Sequence, residues 1–98
     1  MLIAALLVGF TAQAQKDYTT DNKKAIKKYE AALIVYRDAM AAPVLYPDAI
    51  KLLDDAISAD PKFQEALMLK GYIYMDQDQY EPARSAFISA IEINPRFF

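Results

Sequence analysis

The sequence predicts an all-α protein: a helical solenoid of two antiparallel helix pairs in tandem. Three observations predict it. The first is a repeat. Tyr46, Ala49, Leu53, Ala56, Ile57 and Pro61 recur in the same order, at one fixed offset, as Tyr80, Ala83, Phe87, Ala90, Ile91 and Pro95. A fixed offset within roughly 20–50 residues is the mark of stacked repeats. The second is periodicity, since apolar residues step by three or four along each segment, as one face of a helix requires. The third is composition. Ala, Ile and Leu dominate and Gly is scarce, so the chain has few points where a helix would lose its order.

Charge and chemistry narrow the function. Eleven basic and 13 acidic residues among 98 give a formal charge of −2, too small a field to attract nucleic acid or anionic lipid. There is no Cys and no His. That removes the thiol nucleophile, the commonest zinc ligands and the near-neutral proton shuttle together. No cofactor or metal is expected. Ser85, Ser89 and the tyrosines are the remaining nucleophiles, and none has a base at helical spacing. An enzyme is not expected.

Residues 1–14 are expected to be a signal peptide, the alternative being a buried N-terminal helix. Leu2–Phe10 is an apolar run of the right length, too short to span a bilayer, and Ala12-Gln13-Ala14 has the small-x-small form of a cleavage site. No Lys or Arg precedes the run, which a start upstream or lost first residues would explain. The mature chain would begin at Gln15, be exported, and not span a membrane. Residues 15–22 form a polar lead, 23–63 the first helix pair and 64–96 the second, and 97–98 open a further repeat.

Thr20, Asp21 and Asn22 offer an N-cap for a helix starting near Lys23. Its apolar face is expected to be Ala25, Ile26, Tyr29, Ala32, Leu33, Tyr36 and Met40. Lys23, Lys24, Lys27 and Lys28 make a basic patch that opposes the helix dipole; a solvated face is the simpler reading, an acidic or phosphate-bearing partner the sharper one. Pro43 breaks the helix, and Pro47 sits in the first turn of the next, which packs Ala49, Ile50, Leu53, Ala56 and Ile57. Asp54 and Asp55 diverge by about 100° on that helix and are read as solvated. Asp60-Pro61 stops it. A third helix, Phe63 to Asp76, is apolar on two sides: Leu67, Gly71 and Tyr74 on one, Met68, Tyr72 and Met75 on the other. Asp76 to Gln79 turns the chain, with Asp78 in the left-handed conformation; an EF-hand fails because Phe87 occupies its twelfth position. The fourth helix runs from Tyr80 to Asn94-Pro95, with Ala83, Phe87, Ala90 and Ile91 toward its partner and Ala86, Ile88 and Ile93 on other sides.

Leu67-x-x-Lys70-Gly71-x-x-Tyr74, followed by Ala83, Phe87, Ala90 and Pro95, resembles the tetratricopeptide repeat (TPR). The resemblance covers Gln64 to about Arg96, and Glu30 to Phe63 is a weaker copy in which Arg37 falls at the Gly71 position and Met40 at the Tyr74 position. Lys70 stands where the family usually has Leu. The resemblance implies a right-handed superhelix whose small residues, Gly71, Ala83 and Ala90, let helices approach while Leu67, Tyr74 and Phe87 fill between them. Ala49, Leu53, Ala56 and Pro61 repeat those roles. It also implies a concave surface that takes a protein or peptide partner. Glu65, Met68, Tyr72, Met75 and Asp76 are the candidate ligand contacts; the alternative is that the Met68–Tyr72–Met75 stripe is core against the first pair.

The segments AQAQ, KKAIKKYEAALIVYRDA, DAIKLLDDAISADPKF and AIEINPRFF also resemble the start of a group of Bacteroidetes envelope proteins. In that group TPRs precede a β-propeller and an OmpA-like peptidoglycan-binding domain, and the resemblance implies work in type IX secretion or gliding, at the periplasm or outer membrane. The expected function is an exported adaptor or scaffold that binds protein. A self-associating structural spacer is the alternative.

Overall fold

A computed structural model describes residues 17–97. The expected signal peptide and its cleavage site lie outside them. Four α-helices follow one another: α1 (Lys23–Ala39), α2 (Tyr46–Ala59), α3 (Gln64–Asp76) and α4 (Tyr80–Ile93), with short 3₁₀ turns at Pro43–Leu45 and Pro95–Phe97. No strand occurs among the described residues. Helices α1 and α2 pack as one hairpin, α3 and α4 as the next, and α3 also lies against α2.

Each boundary has a local cause. The Asn22 side chain accepts from the Ala25 N–H and caps α1. Asp60 ends α2 in extended backbone because Pro61 follows, and its carboxylate accepts from the Lys62 N–H at 3.0 Å. Asn94, Pro95 and Arg96 reproduce that turn at the matching place in the second repeat, with the same 3.0 Å bond. Asp78 carries φ 60°, as its turn requires. The Asp78 N–H donates to the Met75 carbonyl and the Gln79 N–H to the Tyr74 carbonyl, which satisfies the last carbonyls of α3.

The repeat offset holds for α2 and α4 but fails for α1. Helix α1 starts at Lys23 rather than at Glu30, where the offset from Gln64 would place it, and is 17 residues long against 13. Six residues, Met40–Leu45, separate it from α2, whereas three separate α3 from α4. The alignment of Arg37 with Gly71 is therefore incorrect: the Arg37 side chain is exposed. Close approach in the first hairpin rests instead on Ala25, Ala32 and Ala39, spaced by sevens and fully buried. Leu33 and Met40, expected on the buried face, are exposed. Ile26, Tyr29, Val35 and Tyr36 pack beside those alanines, partly buried against the same core.

Helix α3 has two buried sides, but the second is not the expected one. Leu67 and Gly71 are buried and Tyr74 half-buried toward α4. Toward the first hairpin the buried residues are Ala66, Leu69 and Ile73, with Phe63 just before the helix, rather than Met68, Tyr72 and Met75. Phe63 is the N-cap position rather than a helical residue. They join Ala25, Ala32, Ala49, Leu53 and Ala56 in one core across both hairpins. Lys70 reaches across to Asp54 at 2.6 Å, which accounts for a charge where Leu is usual; Asp55 lies 3.8 Å from Lys28. The two aspartates stay about half exposed, as read from the sequence, and pair with lysines on opposite neighbours.

The second hairpin closes on Gly71. A Cβ there would stand 2.6 Å from Cε1 of Phe87 and 2.7 Å from Cζ, so only hydrogen leaves room for the ring. Ala83 and Ala90 are buried opposite. Ala86 is buried too, while Ile91, expected toward the partner, is 43% exposed. Gln64, fully buried, donates from Nε2 to the carbonyls of Ala90 (2.6 Å) and Asn94 (3.1 Å), so the start of α3 caps the end of α4. Pro61 and Pro95 lie exposed at the two turns.

Candidate functional site

Helices α1 and α3 meet through side chains and leave a cleft of about 240 Å³ between them, lined by Tyr29, Glu65, Met68, Leu69 and Tyr72. Its floor follows from the core. Leu69 is buried against the first hairpin, so Met68 and Tyr72, one step round the helix, are carried to the rim. Tyr72 is 49% exposed and Met75 46% exposed, and Met68 is half-buried. The Tyr72 ring rests edge-on against Phe87 at 5.3 Å, which fixes one side of it.

In the sequence the opposite wall reads as a buried face rather than as binding surface. Tyr29, Leu33 and Tyr36 on α1 and Met40 at its C-cap form a stripe at i, i+4, i+7 and i+11, and Tyr29 lines the cleft itself. These residues have the helical spacing of a core face, and the pattern alone does not separate core from rim. Part of the stripe faces outward, with Leu33 and Met40 uncovered.

The acidic residues at the two ends of α3 are already engaged. Tyr36 donates its hydroxyl to Asp76 Oδ2 at 2.7 Å. Burial, and then that bond to a carboxylate, push the Tyr36 hydroxyl up to about 12. At the other end Glu65 accepts from the Thr19 N–H at 2.9 Å and from the Thr19 hydroxyl. Burial, with the nearby charge of Glu65, raises Tyr29 as well. Tyr18 packs edge-on against Tyr29 (5.5 Å) and Phe63 (5.9 Å) and donates to Glu30 at 3.0 Å. Burial and that bond raise it to about 12. The arrangement is an apolar strip of Met and Tyr with a carboxylate at each end, chemistry suited to holding a peptide or helix.

The basic patch lies apart from the cleft. Lys23, Lys24 and Lys27 are exposed around the first turns of α1, with Lys23 and Lys27 beside Thr20, Asp21, Ile26 and Glu30. Ser85 and Ser89 are exposed on α4. Among the described residues no group of three His, Cys, Asp or Glu could hold a metal ion, and no helix is long and apolar enough to cross a membrane.

Comparison with known proteins agrees with this architecture. Residues 45–96, more than half of the chain, match the family profile described as "Tetratricopeptide repeat". Over 53 residues the chain is 32% identical to anaphase-promoting complex subunit 3 of Schizosaccharomyces pombe; this covers 54% of the chain and 8% of that protein. No solved structure matches. Repeats of this kind generally mediate protein–protein interaction and are generally non-catalytic. With the matched span running from α2 through α4, the turns at Asp60 and Asn94 superposing in sequence, and Gly71 closed upon Phe87, the chain belongs to the tetratricopeptide repeat family.

Proposed function

We propose that this chain is an exported interaction module, an adaptor or scaffold of the cell envelope that holds a protein or peptide partner along the α1–α3 face. The observation that carries the reading is the half-exposed Met68–Tyr72–Met75 stripe beside a cleft whose far wall is Tyr29. Ligand contact falls on Met68, Tyr72 and Met75, with Glu65 and Asp76 at the ends. Peptides selected from a random display library against the chain are expected to lose binding at least about tenfold on Tyr72→Ser or Met68→Ser, with the melting curve retained. Binding indifferent to both substitutions would overturn the assignment.

Export rests on residues 1–14, whose apolar run and Ala12-Gln13-Ala14 support cleavage after Ala14. Mass spectrometry of the envelope fraction would show a mature chain beginning at Gln15; an uncleaved cytoplasmic product would refute it. The leader and repeat segments support a Bacteroidetes envelope setting, with propeller and OmpA-like domains in the same polypeptide and a role in type IX secretion or gliding.

A self-associating spacer is the second reading, and Ile88 and Ile91, exposed on α4, favour it. They occupy the repeat positions of Asp54 and Ile57 on α2; Asp54 pairs with Lys70 of α3, and Ile57 lines a cleft with Leu67 of α3. The same α4 face is thus suited to a further repeat of the polypeptide or a second copy. A concentration series in sedimentation separates these, since only the second copy gives a concentration-dependent mass.

A further inference from the structure

The segment Asp17–Asn22 has no regular secondary structure, yet its side chains bond to or pack against α1, the end of α2, the α2–α3 turn and the start of α3. Its inner part is an anchor. Thr20 is buried and donates to Asp60, and Asn22 caps α1 and donates to the Ala59 carbonyl at 3.1 Å. Its outer part differs. Thr19 is exposed; its N–H and hydroxyl both go to Glu65, and its hydroxyl oxygen accepts from the Gln64 N–H at 3.2 Å. Phe63 stands at the N-cap of α3 and offers no side-chain acceptor, so Thr19 caps that helix from another part of the chain. The Tyr18 ring then lies against Tyr29 and Phe63. Tyr29 and Glu65 are two of the five residues lining the α1–α3 cleft. The chain therefore abuts one end of its own groove, setting an aromatic ring against Tyr29 and a backbone N–H and a hydroxyl on Glu65.

We propose that Tyr18–Thr19 is a built-in, displaceable occupant of the groove, and that the seat it vacates takes an extended peptide of the same chemistry, an aromatic residue followed by a hydroxyl residue. This rests on the reading of the α1–α3 face as the binding face. The two bonds from Thr19 to Glu65 are exposed and add little net stability, and Tyr18 packs only on the edge of the core, so the outer residues can open locally while Thr20 and Asn22 stay fixed. A tether of a few residues holds the occupant at a high effective concentration, so a partner must out-compete it. Glu65 thereby acts as a gate rather than as a free contact.

Two measurements test this on the full chain. In the wild type, the Thr19 and Gln64 amides are expected to exchange with solvent faster than that of Ile73 and with little dependence on urea. Exchange of all three only through global unfolding would overturn the proposal without touching the groove reading. The second probe is a fluorescein-labelled peptide of residues 17–22. The double variant Tyr18→Ala/Thr19→Ala is expected to bind it at least about tenfold more tightly than the wild type, because the internal competitor is gone. Adding Glu65→Gln should remove most of that gain. A double variant that folds, by circular dichroism, and binds no better than the wild type would also overturn it. If the double variant does not fold, the exchange measurement alone decides.

Discussion

Gly71 shows how one atom sets a helix–helix distance. Alanine in its place would gain about 1 kcal/mol of helix propensity. Its Cβ would also meet three atoms of the Phe87 ring within 2.9 Å, and that ring is in edge contact with Tyr72. Overpacking of this kind costs about 1–3 kcal/mol, so the net effect of Gly71→Ala is expected to be destabilising. Phe87→Leu in the same chain should recover part of the loss, and a double-mutant cycle in urea would show the coupling. Additive effects would mean that the ring moves aside freely. Tyr36 supplies a second test. Its folded pKa is raised from 10.0 to about 12, so its contribution to stability is complete below pH 10 and is lost as the pH rises toward 12. Absorbance titration should show tyrosines ionising near 12, and Tyr36→Phe should remove one of them. An unchanged late phase would mean that Tyr36 is not among the tyrosines ionising there.

At the scale of the helix, small residues carry the packing and polar residues carry the ends. Ala83 and Ala90 are buried where α4 meets α3. Ala83→Leu or Ala90→Leu is expected to cost about 1–3 kcal/mol by forcing the helices apart. Lys51→Ala, at an exposed site on α2, should stay within about 0.5 kcal/mol. Equal urea midpoints for all three would contradict the helix-pair packing. The ends were less legible than the faces. The turns at Asp60-Pro61 and Asp78 could be read because proline geometry and left-handed backbone are local constraints. The caps supplied by Gln64 and Thr19 could not, since each acts on an element 26 to 45 residues away or comes from outside the repeat.

Across the molecule, two hairpins share one core through Phe63, Ala66, Leu69 and Ile73, and the Asp54–Lys70 pair spans α2 and α3. The equivalent face of α4 is uncovered, with Ile88 and Ile91 each 43% exposed. Appending one helix with a polar outer face after Phe98 is expected to raise the thermal midpoint and suppress binding of a dye to apolar surface. An uncapped mature chain that is already dye-silent and no less stable would show that this face needs no cover.

The sequence by itself determined the helices, the period shared by α2 and α4 and the stripe at Met68, Tyr72 and Met75. All of these depend on residues one to four positions apart or on exact repetition. The close contact at Gly71, with Phe87 sixteen residues away, was implied only by the resemblance to the repeat family. Tertiary structure decided which second side of α3 is core. Ala66–Leu69–Ile73 and Met68–Tyr72–Met75 have nearly the same spacing and both are apolar. Only the position of the first hairpin selects between them. That position depends in turn on the loop Met40–Leu45, which breaks the repeat and places α1 where alanines rather than Arg37 meet α2. It also depends on the Tyr18–Asn22 segment, whose contacts reach up to 46 residues along the chain. Periodicity reports the face a helix can bury, and the packing partner determines which face it does bury.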